Sequence, residues 1–360
     1  MNSELVLKKD FVDQVRIQTQ PLPPLAPEHV LIRIEIFGLT ANNITYIALG
    51  KSLQYFDFFP ADSADEAKAP VWGIGVIEQS NSPLLKKGER IYGYYPIAKY
   101  ISFKPVSIKN NFFYVIRDQL PRDRAVYNQY FRANGDPEYI KNNEELMLLF
   151  RPLWTTSFFL HDFLVANGFF DAKKVVISSA SSKTGYSFAL LLKDNDFEVI
   201  GLTSKSNVEF VTSLNFYDKV VRYDDISELP TDEPIVYCDF AGSDSLNRTI
   251  HNHFGPKLQK QVVAGMSHVS EANSKFGDDK SITFFAPEWI KVRKPKVGDN
   301  IVERREKAWN YFIETIVPHV NLKYVNGAKD VVKVYHKMLK GQSTPDEGYI
   351  LSMFDSSAKL

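Results

Sequence analysis

The sequence predicts an α/β fold in which a doubly wound parallel sheet is combined with a second, β-rich domain. The chain of 360 residues is too long for one typical domain and suits two. Between residues 174 and 265, buried apolar runs alternate with helical segments, which indicates βαβ units and a parallel sheet. In the early part of the chain, short strands are separated by glycine and proline, and this pattern favours a small β-barrel.

The β-rich domain begins with segments whose apolar residues fit strands. These segments are residues 30–37, 71–78 and 85–94, the last being a turn that leads into a strand. From residue 121 to 150 apolar residues recur at helical spacing, and the helical pattern continues over 152–167. We therefore predict a β-rich domain over residues 1–150 with a helical linker, completed by residues from about 285 to 360.

The second domain, predicted over residues 151–285, carries the parallel sheet. Buried strands are predicted at residues 174–178, 198–203, 219–222, 234–239 and 261–265. Helices between them are predicted over residues 184–195 and 207–214. Further along the chain, a helix over 328–340 ends at Gly341, which is a natural helix C-cap.

Charge and composition exclude several classes of protein. The formal net charge is zero, so bulk charge draws the chain neither to nucleic acid nor to an anionic membrane. The single cysteine, Cys238, cannot form an intrachain disulfide or a multi-thiolate zinc site. The sequence shows no signal-peptide pattern and no apolar stretch of about 20 residues. We therefore expect a soluble, cytoplasmic protein that acts on a small molecule.

The turn after the first parallel strand is the first candidate for chemistry. In dinucleotide-binding folds this turn holds a pyrophosphate against the N-terminus of the following helix. Of the usual three glycines the turn retains only Gly185, and small hydroxyl side chains and one lysine take the other positions. The alternative is a serine-rich loop that binds no ligand. The predicted ligand-binding residues are Ser179, Ala180, Ser181, Ser182, Lys183, Thr184 and Gly185.

The end of the second strand, about twenty residues further on, indicates which nucleotide the turn accepts. An NAD-binding protein places Asp or Glu there for the ribose hydroxyls. Hydroxyls with a lysine suit a 2′-phosphate instead, so the sequence favours NADP(H). The alternative is a polar helix N-terminus capped by Ser206 or Asn207. The predicted cofactor-binding residues of this segment are Thr203, Ser204, Lys205 and Asn207.

Residues 174–225 resemble the quinone oxidoreductase branch of the medium-chain dehydrogenase/reductases. The resemblance implies a GroES-like β-barrel domain, a Rossmann-type domain and NADP(H) as the cofactor. Serines and a lysine in place of glycines also resemble an uncharacterised branch of this superfamily, a domain of unknown function. The motifs that carry the resemblance are Val199-Ile200-Gly201-Leu202-Thr203-Ser204, Leu214-Asn215 and Val220-Val221-Arg222-Tyr223.

Further residues take their roles from the same resemblance. Lys205 and Tyr223 correspond to positions near the adenosine phosphate in that family. Thr156 lies where the family has a threonine-bearing helix near the nicotinamide. Dimers are common in the superfamily, and the resemblance leaves a homodimer open. Cofactor contacts at two other strand ends are implied for Ala241, Gly242, Gly265 and Met266.

The chain departs from the zinc-dependent members of the superfamily. Thr40 stands near the position of their early cysteine, and residues 72–75 replace their Gly-His-Glu motif. The resemblance therefore implies an enzyme with no metal site that transfers hydride to a conjugated carbonyl or a quinone. Candidates for substrate contact are Asn43, Tyr46 and Tyr55. The alternatives are a turn role for the asparagine and core packing for the tyrosines.

Three functions are compatible with these observations. The first is an NADPH-dependent reductase of an enone, enal or quinone. The second is a non-catalytic protein that binds NADP(H) and senses redox state, which the irregular turn and the lack of an evident proton donor keep open. The third is an enzyme of this fold that binds no nucleotide, because one fold hosts many functions.

Overall fold

The computed structural model of the chain describes residues 1–120, 126–193, 195–264, 280–298 and 300–355. The chain divides into two units, one formed by Met1–Leu149 with Val320–Leu360 and the other by Phe150–His319. The first division falls inside one long helix. Within the described residues, every helix is too short or too polar to span a lipid bilayer.

Strands and helices of the described residues are numbered in chain order. The strands are β1 (Asn2–Lys8), β2 (Val15–Gln20), β3 (Val30–Leu39), β4 (Glu66–Lys68), β5 (Pro70–Ser80), β6 (Arg90–Pro96), β7 (Tyr100–Phe103), β8 (Pro105–Val106), β9 (Phe112–Val115), β10 (Gln129–Arg132), β11 (Lys174–Ile177), β12 (Glu198–Thr203), β13 (Lys219–Arg222), β14 (Ile235–Asp239), β15 (Leu258–Ala264), β16 (Ser281–Phe284), β17 (Asn321–Asn326) and β18 (Glu347–Ser352). The helices are α1 (Ala41–Ala48), α2 (Glu144–Ala166), α3 (Lys183–Leu192), α4 (Val208–Ser213), α5 (Asp244–Phe254), α6 (Ala286–Val297), α7 (Asn300–Ile316) and α8 (Ala328–Leu339).

In the first unit a nine-stranded sheet carries the core. Its order is β17-β18-β3-β5-β6-β10-β9-β8, and β7 also pairs with β3. Val30, Ile32 and Ile34 of β3 are fully buried, whereas Arg33 and Glu35 between and beyond them are only half-buried. Burial thus alternates from Ile32 to Glu35, as in a strand with one covered face, whereas Val30, Leu31 and Ile32 are buried in succession. The strands predicted from the early apolar patterns are present as β3, β5 and β6.

The helical prediction over residues 121–150 is wrong in its middle part. Residues 129–132 form β10, which pairs with β6 and β9, and α2 begins only at Glu144. Tyr130 is fully buried and stacks on Phe113, with the two ring centroids 5.5 Å apart. Pairing and burial within the sheet therefore decide the structure of this segment, against the helical spacing of its apolar residues.

The second unit contains a six-stranded parallel sheet in the order β13-β12-β11-β14-β15-β16. This order, with the first strand in the middle and the connections turning to both sides, is that of a doubly wound dinucleotide-binding sheet. The register places Ile177 of β11 opposite Gly201 of β12 and Cys238 of β14. The predicted strands are all present, and β16 is an additional strand that the sequence analysis does not predict.

The predicted boundary near residue 285 is corrected to residue 320, because α6 and α7 belong to the second unit. In α7 the side chains of Trp309 and Phe312 are fully buried. The ring centroid of Phe312 lies 4.7 Å from that of Trp154 and 5.2 Å from that of Phe150, both on α2. The apolar face of α7 thus completes the core along α2.

Candidate functional site

The carboxyl ends of β11, β12, β13 and β14 lie at one edge of the parallel sheet, and most of the predicted cofactor residues follow them. This edge is where doubly wound folds bind ligands. In the register of the sheet, Thr203 at the end of β12 lies opposite Arg222 at the end of β13. The candidate site is therefore built around residues 178–182, called the serine turn below, and the start of α3.

A buried hydrogen-bond network anchors the beginning of the serine turn. The hydroxyl of Ser178 donates to the carboxylate of Asp239 at 2.9 Å, and both side chains are fully buried. The same carboxylate oxygen accepts the N–H groups of Ala241 and Gly242. These bonds join the ends of β11 and β14. The N–H groups of Ala241 and Gly242 are therefore already bonded within the protein. A contact of either residue with a cofactor would have to involve atoms other than these N–H groups.

Ser182 caps helix α3, and Gly185 allows the helix to start directly against the turn. The hydroxyl of Ser182 accepts the N–H of Gly185 at 3.0 Å. A Cβ atom on Gly185 would lie 2.6 Å from the carbonyl oxygen of Ser179 and 3.0 Å from the hydroxyl oxygen of Ser182. A side chain at residue 185 would therefore separate the helix from the turn.

Three side chains from outside the serine turn hold three consecutive residues of it. Ser179 has a left-handed backbone with φ of 49°, which glycine would adopt at lower cost. The hydrogen bonds from outside offset part of this cost and define the shape of a turn that lacks glycine. The bonds join the Tyr223 hydroxyl to the Ser179 N–H at 3.0 Å, the Tyr217 hydroxyl to the Ala180 carbonyl at 2.8 Å and the Asn207 amide to the Ser181 hydroxyl at 3.0 Å.

Hydroxyl groups at the turn retain their donor hydrogens. A hydroxyl carries one donor hydrogen and two acceptor lone pairs. The hydroxyls of Ser181, Ser182 and Tyr223 each accept a hydrogen bond from the protein. Within the described ranges none of the three donates to a protein acceptor. They suit a phosphate group, whose oxygens are acceptors, and the N-terminus of α3 favours the same negative charge.

The segment after β12 supplies hydroxyls at the neighbouring strand end. The hydroxyl of Thr203 is buried and has no hydrogen-bond partner among the described residues. The hydroxyls of Ser204 and Ser206 lie 3.1 Å apart. Asn207 precedes α4 but makes no side-chain cap bond, because its amide donates to Ser181 instead. Asn207 thus stands at the predicted N-cap position of α4, but its side chain does not cap the helix.

Two basic residues lie at the ends of β12 and β13, and they differ in their partners. Arg222 donates through Nε and Nη2 to the carboxylate of Asp225, so its charge is balanced locally. Lys205 is exposed and forms no ion pair within the part of the chain that the structure describes. Lys205 therefore remains the candidate cation for an incoming phosphate.

The remaining predicted cofactor residues are placed as follows. Thr156 is half-buried on α2, and its neighbour Ser157 donates to the carbonyl of Thr184 at 3.0 Å, which joins α2 to the start of α3. The ammonium group of Lys183 lies 5.8 Å from the ring centroid of Phe150. Gly265 and Met266 lie outside the described residues.

In the first unit, Tyr46 and Tyr55 lie in a group of packed rings. The indole N–H of Trp72 donates to the hydroxyl of Tyr46 at 3.4 Å, and the hydroxyls of Tyr55 and Tyr127 are 3.1 Å apart. Burial raises the pKa of Tyr46, so its phenol stays protonated at neutral pH. This group, called the aromatic cluster below, comprises Tyr46, Tyr55, Phe58, Phe59, Trp72, Tyr94 and Tyr127.

Asn43 lies inside α1, at the third position of the helix, and not in a turn as the alternative supposed. Its side-chain oxygen accepts the N–H and the hydroxyl of Thr40, at 2.8 and 3.1 Å, at the start of α1. Its amide donates to the carbonyl of Pro70 at 3.4 Å. Both ends of the side chain are thus engaged inside the first unit, and a substrate contact of Asn43 stays a prediction.

Tyr94 and Tyr217 are two residues that the sequence analysis did not single out. Tyr94 is fully buried in the aromatic cluster, and its hydroxyl has no partner among the described residues. The pattern of β6 indicates burial at this position, but no sequence signal reveals an unpaired hydroxyl. Tyr217 lies in the loop after α4, where its contact with Ala180 depends on tertiary structure alone.

The described residues offer little that would bind a metal. Among them, no group of three or more His, Cys, Asp or Glu side chains is arranged to hold a metal ion. Cys238 is fully buried in β14, and burial raises the pKa of its thiol. Independence from zinc stays a prediction.

A family model described as a protein of unknown function, DUF2855, matches residues 37–344 of the chain. No protein with a curated description matches the sequence. Solved structures do match over nearly the whole chain, at low sequence identity. The structure of CurA from Vibrio vulnificus in complex with NADPH is 12% identical with a TM-score of 0.58, covering 98% of this chain and 99% of the other.

Two further solved structures show the same likeness. The CurK enoyl reductase is 14% identical with a TM-score of 0.59, covering 98% of this chain and 99% of that one. The quinone oxidoreductase from Coxiella burnetii is 12% identical with a TM-score of 0.56, covering 97% and 98%. At these identities the likeness concerns the fold, and it extends over both units of the chain.

Proposed function

Since the chain belongs to the family of proteins of unknown function DUF2855 and has the fold of the medium-chain dehydrogenase/reductases, we propose that it is an NADP(H)-dependent oxidoreductase. The reaction we propose is hydride transfer to a conjugated carbonyl or quinone-type substrate without zinc. Similar structures include an enoyl reductase and a quinone oxidoreductase, and the similar structure of CurA contains NADPH.

One observation carries the proposal of a nucleotide. At the serine turn, three hydroxyls accept hydrogen bonds from the protein and keep their own hydrogens for a ligand. They lie where a doubly wound fold binds a pyrophosphate, at the N-terminus of the helix that follows the first strand.

The segment after β12 supports NADP(H) over NAD(H). No carboxylate stands at residues 203–207, where a ribose-binding Asp or Glu would select NAD(H). Lys205 is exposed and without an ion-pair partner in the described structure, so its charge is available for a 2′-phosphate. The charge of Arg222 is already balanced by Asp225. We propose that Lys205 makes the main contribution to cofactor preference.

The proposed chemistry assigns separate tasks to the cofactor and to the chain. Bound NADPH supplies hydride, which a conjugated system accepts at a carbon that is already electrophilic. The serine turn and Lys205 bind and orient the phosphates. Hydride addition would leave an enolate or quinol oxyanion, which a hydrogen-bond donor near the carbonyl oxygen would stabilise until a proton from that donor or from water neutralises it. Tyr46 and Tyr55 of the aromatic cluster stay our proposed substrate contacts, because each carries a phenol O–H group that can donate a hydrogen bond.

Calorimetric titration of the whole chain with NADPH and NADH tests the proposal. We expect NADPH to bind about tenfold more tightly than NADH, or better still. Consumption of NADPH is then measured with a panel of enones, enals and quinones. Failure to bind either nucleotide contradicts the proposal. Tight binding of NADPH without consumption on any substrate would favour the non-catalytic, redox-sensing alternative.

A further inference from the structure

The backbone N–H groups of the serine turn are almost all used inside the protein. Ser181 differs, because its N–H has no partner among the described residues and the residue is only half-buried. An amide in this position is available to a ligand. The N–H groups with protein partners are those of Ser178, bonded to the Cys238 carbonyl, Ser179, bonded to the Tyr223 hydroxyl, Ala180, bonded to the Leu202 carbonyl, and Ser182, bonded to the Ser179 carbonyl.

Tyr217 fixes the peptide group to which this free amide belongs. Its hydroxyl donates to the carbonyl oxygen of Ala180 at 2.8 Å. In a planar trans peptide the carbonyl and the N–H point in opposite directions. The bond that draws the Ala180 carbonyl toward Tyr217 therefore turns the N–H of Ser181 away from Tyr217.

The ring of Tyr217 occupies the space that a side chain at Gly201 would otherwise fill. A Cβ atom on Gly201 of β12 would lie 2.7 Å from Cδ1 of Tyr217 and 3.0 Å from the Cβ atom of Ala180. The ring thus packs directly over the backbone of β12, beside the serine turn. Burial raises the pKa of Tyr217, so its hydroxyl remains a donor at neutral pH.

We propose that Tyr217 is a positioning residue for the cofactor pyrophosphate: it holds the Ala180–Ser181 peptide so that the Ser181 N–H is presented to the phosphate. The inference rests on the proposed binding of NADP(H) at the serine turn. Tyr217 contacts the turn and not the ligand. Without its hydroxyl the Ala180 carbonyl loses its partner, and rotation of the peptide would present a carbonyl oxygen to an anion.

The substitution Tyr217→Phe tests this proposal, because it keeps the ring over Gly201 and removes only the hydroxyl. We expect NADPH and NADH, which both contain the pyrophosphate, to lose affinity by the same factor of about ten. Adenosine 2′-monophosphate lacks the pyrophosphate and reports only on the adenosine end of the site. Its affinity should be the same for the parent and the variant.

Tyr335→Phe is the matched control, because the Tyr335 hydroxyl donates to the carbonyl of Val12 at 2.6 Å in the first unit. It removes a bond of the same kind and should leave all three affinities unchanged. Unchanged NADPH affinity in Tyr217→Phe would overturn the proposal, as would an equal loss for adenosine 2′-monophosphate, which indicates general disruption. If the parent chain binds none of these nucleotides, the proposed function itself fails. That result differs from failure of the Tyr217 proposal, in which the parent chain binds NADPH and Tyr217→Phe binds it equally well.

Discussion

The serine turn and the aromatic cluster both concentrate hydroxyl groups, but they leave those groups in different states. In the serine turn the hydroxyls of Ser181 and Ser182 accept bonds from the protein and are half-buried. In the aromatic cluster the hydroxyls of Tyr55 and Tyr127 bond to each other, and the rings around them are buried. A half-buried hydroxyl that only accepts a bond from the protein keeps its hydrogen for a ligand, whereas the buried hydroxyls of Tyr55 and Tyr127 satisfy each other within the packed rings.

The difference also concerns what each region tolerates. The serine turn is held by individual hydrogen bonds, and Gly185 of the adjoining helix α3 leaves room for it. The aromatic cluster is held by many ring contacts, such as those of Tyr94 with Tyr127 at 5.0 Å and with Trp72 at 5.1 Å between centroids. A single substitution in the serine turn should therefore have a large effect on nucleotide binding. A single substitution in the aromatic cluster should have a small effect on nucleotide binding.

Gly185→Val should give the largest effect of any change in the turn. Its side chain would collide with the carbonyl oxygen of Ser179, which lies 2.6 Å from the Cβ position. We expect a loss on the order of 3 kcal/mol in the free energy of unfolding, with loss of nucleotide binding. Chemical denaturation and titration with NADPH measure the two effects. Gly185→Ala, with a smaller side chain, should be intermediate in both, and wild-type stability of the valine variant would refute the packing argument.

Lys205→Ala should reduce the affinity for NADPH by about ten- to a hundredfold, because it removes a charge-assisted bond to the 2′-phosphate. The affinity for NADH, which has no such phosphate, should not change. Calorimetric titration of both nucleotides measures this. Arg222→Ala is the control, because the charge of Arg222 is paired with Asp225. Equal losses for NADPH and NADH would show that Lys205 does not read the 2′-phosphate.

Ser182→Asp should separate helix stability from ligand binding. Aspartate is as good an N-cap as serine, so α3 should remain capped and the free energy of unfolding should be nearly unchanged. The added charge should repel the pyrophosphate and weaken NADPH by about tenfold. Denaturation and titration of the same sample give both quantities. If the variant is stable and binds NADPH as the parent does, the cofactor is not bound at the serine turn.

Tyr55→Phe should have the smallest effect on nucleotide binding, and it tests the comparison from the side of the aromatic cluster. It removes the hydrogen bond to Tyr127, and we expect a loss of about 1 kcal/mol in the free energy of unfolding. The affinity for NADPH should be unchanged, because this hydroxyl belongs to the first unit. A loss of nucleotide affinity equal to that of Ser182→Asp would remove the distinction between the two regions.

Much of the second unit could be predicted from the sequence, because its information is local. The strand over residues 198–203, the turn at residues 178–185 and the need for Gly185 all follow from short patterns. The contact of Tyr217 with Ala180 joins residues that are 37 positions apart, and no short pattern encodes it. Position along the sequence had suggested a cap role for Asn207, but its side chain instead reaches the serine turn, 26 residues away.

The first unit was harder to predict, because pairing and burial override spacing there. Residues 129–132 fit a helical pattern and form β10 instead, since the sheet needs a partner for β6 and β9. Asn43 and Tyr46 are three residues apart and follow the same strand, yet one completes the start of α1 and the other belongs to the aromatic cluster. The different roles of Asn43 and Tyr46 depend on the residues that the tertiary structure brings into contact with each of them.

A structure of the chain with NADPH tests the central claim most directly, namely that the serine turn and the start of α3 hold the cofactor pyrophosphate. We predict pyrophosphate oxygens at hydrogen-bond distance, about 2.7–3.2 Å, from the N–H of Ser181 and the hydroxyl of Ser182. We also predict the 2′-phosphate beside Lys205. A structure with NADPH bound at any other place would contradict the claim. So would a structure determined at a saturating concentration of NADPH in which no nucleotide lies at the serine turn.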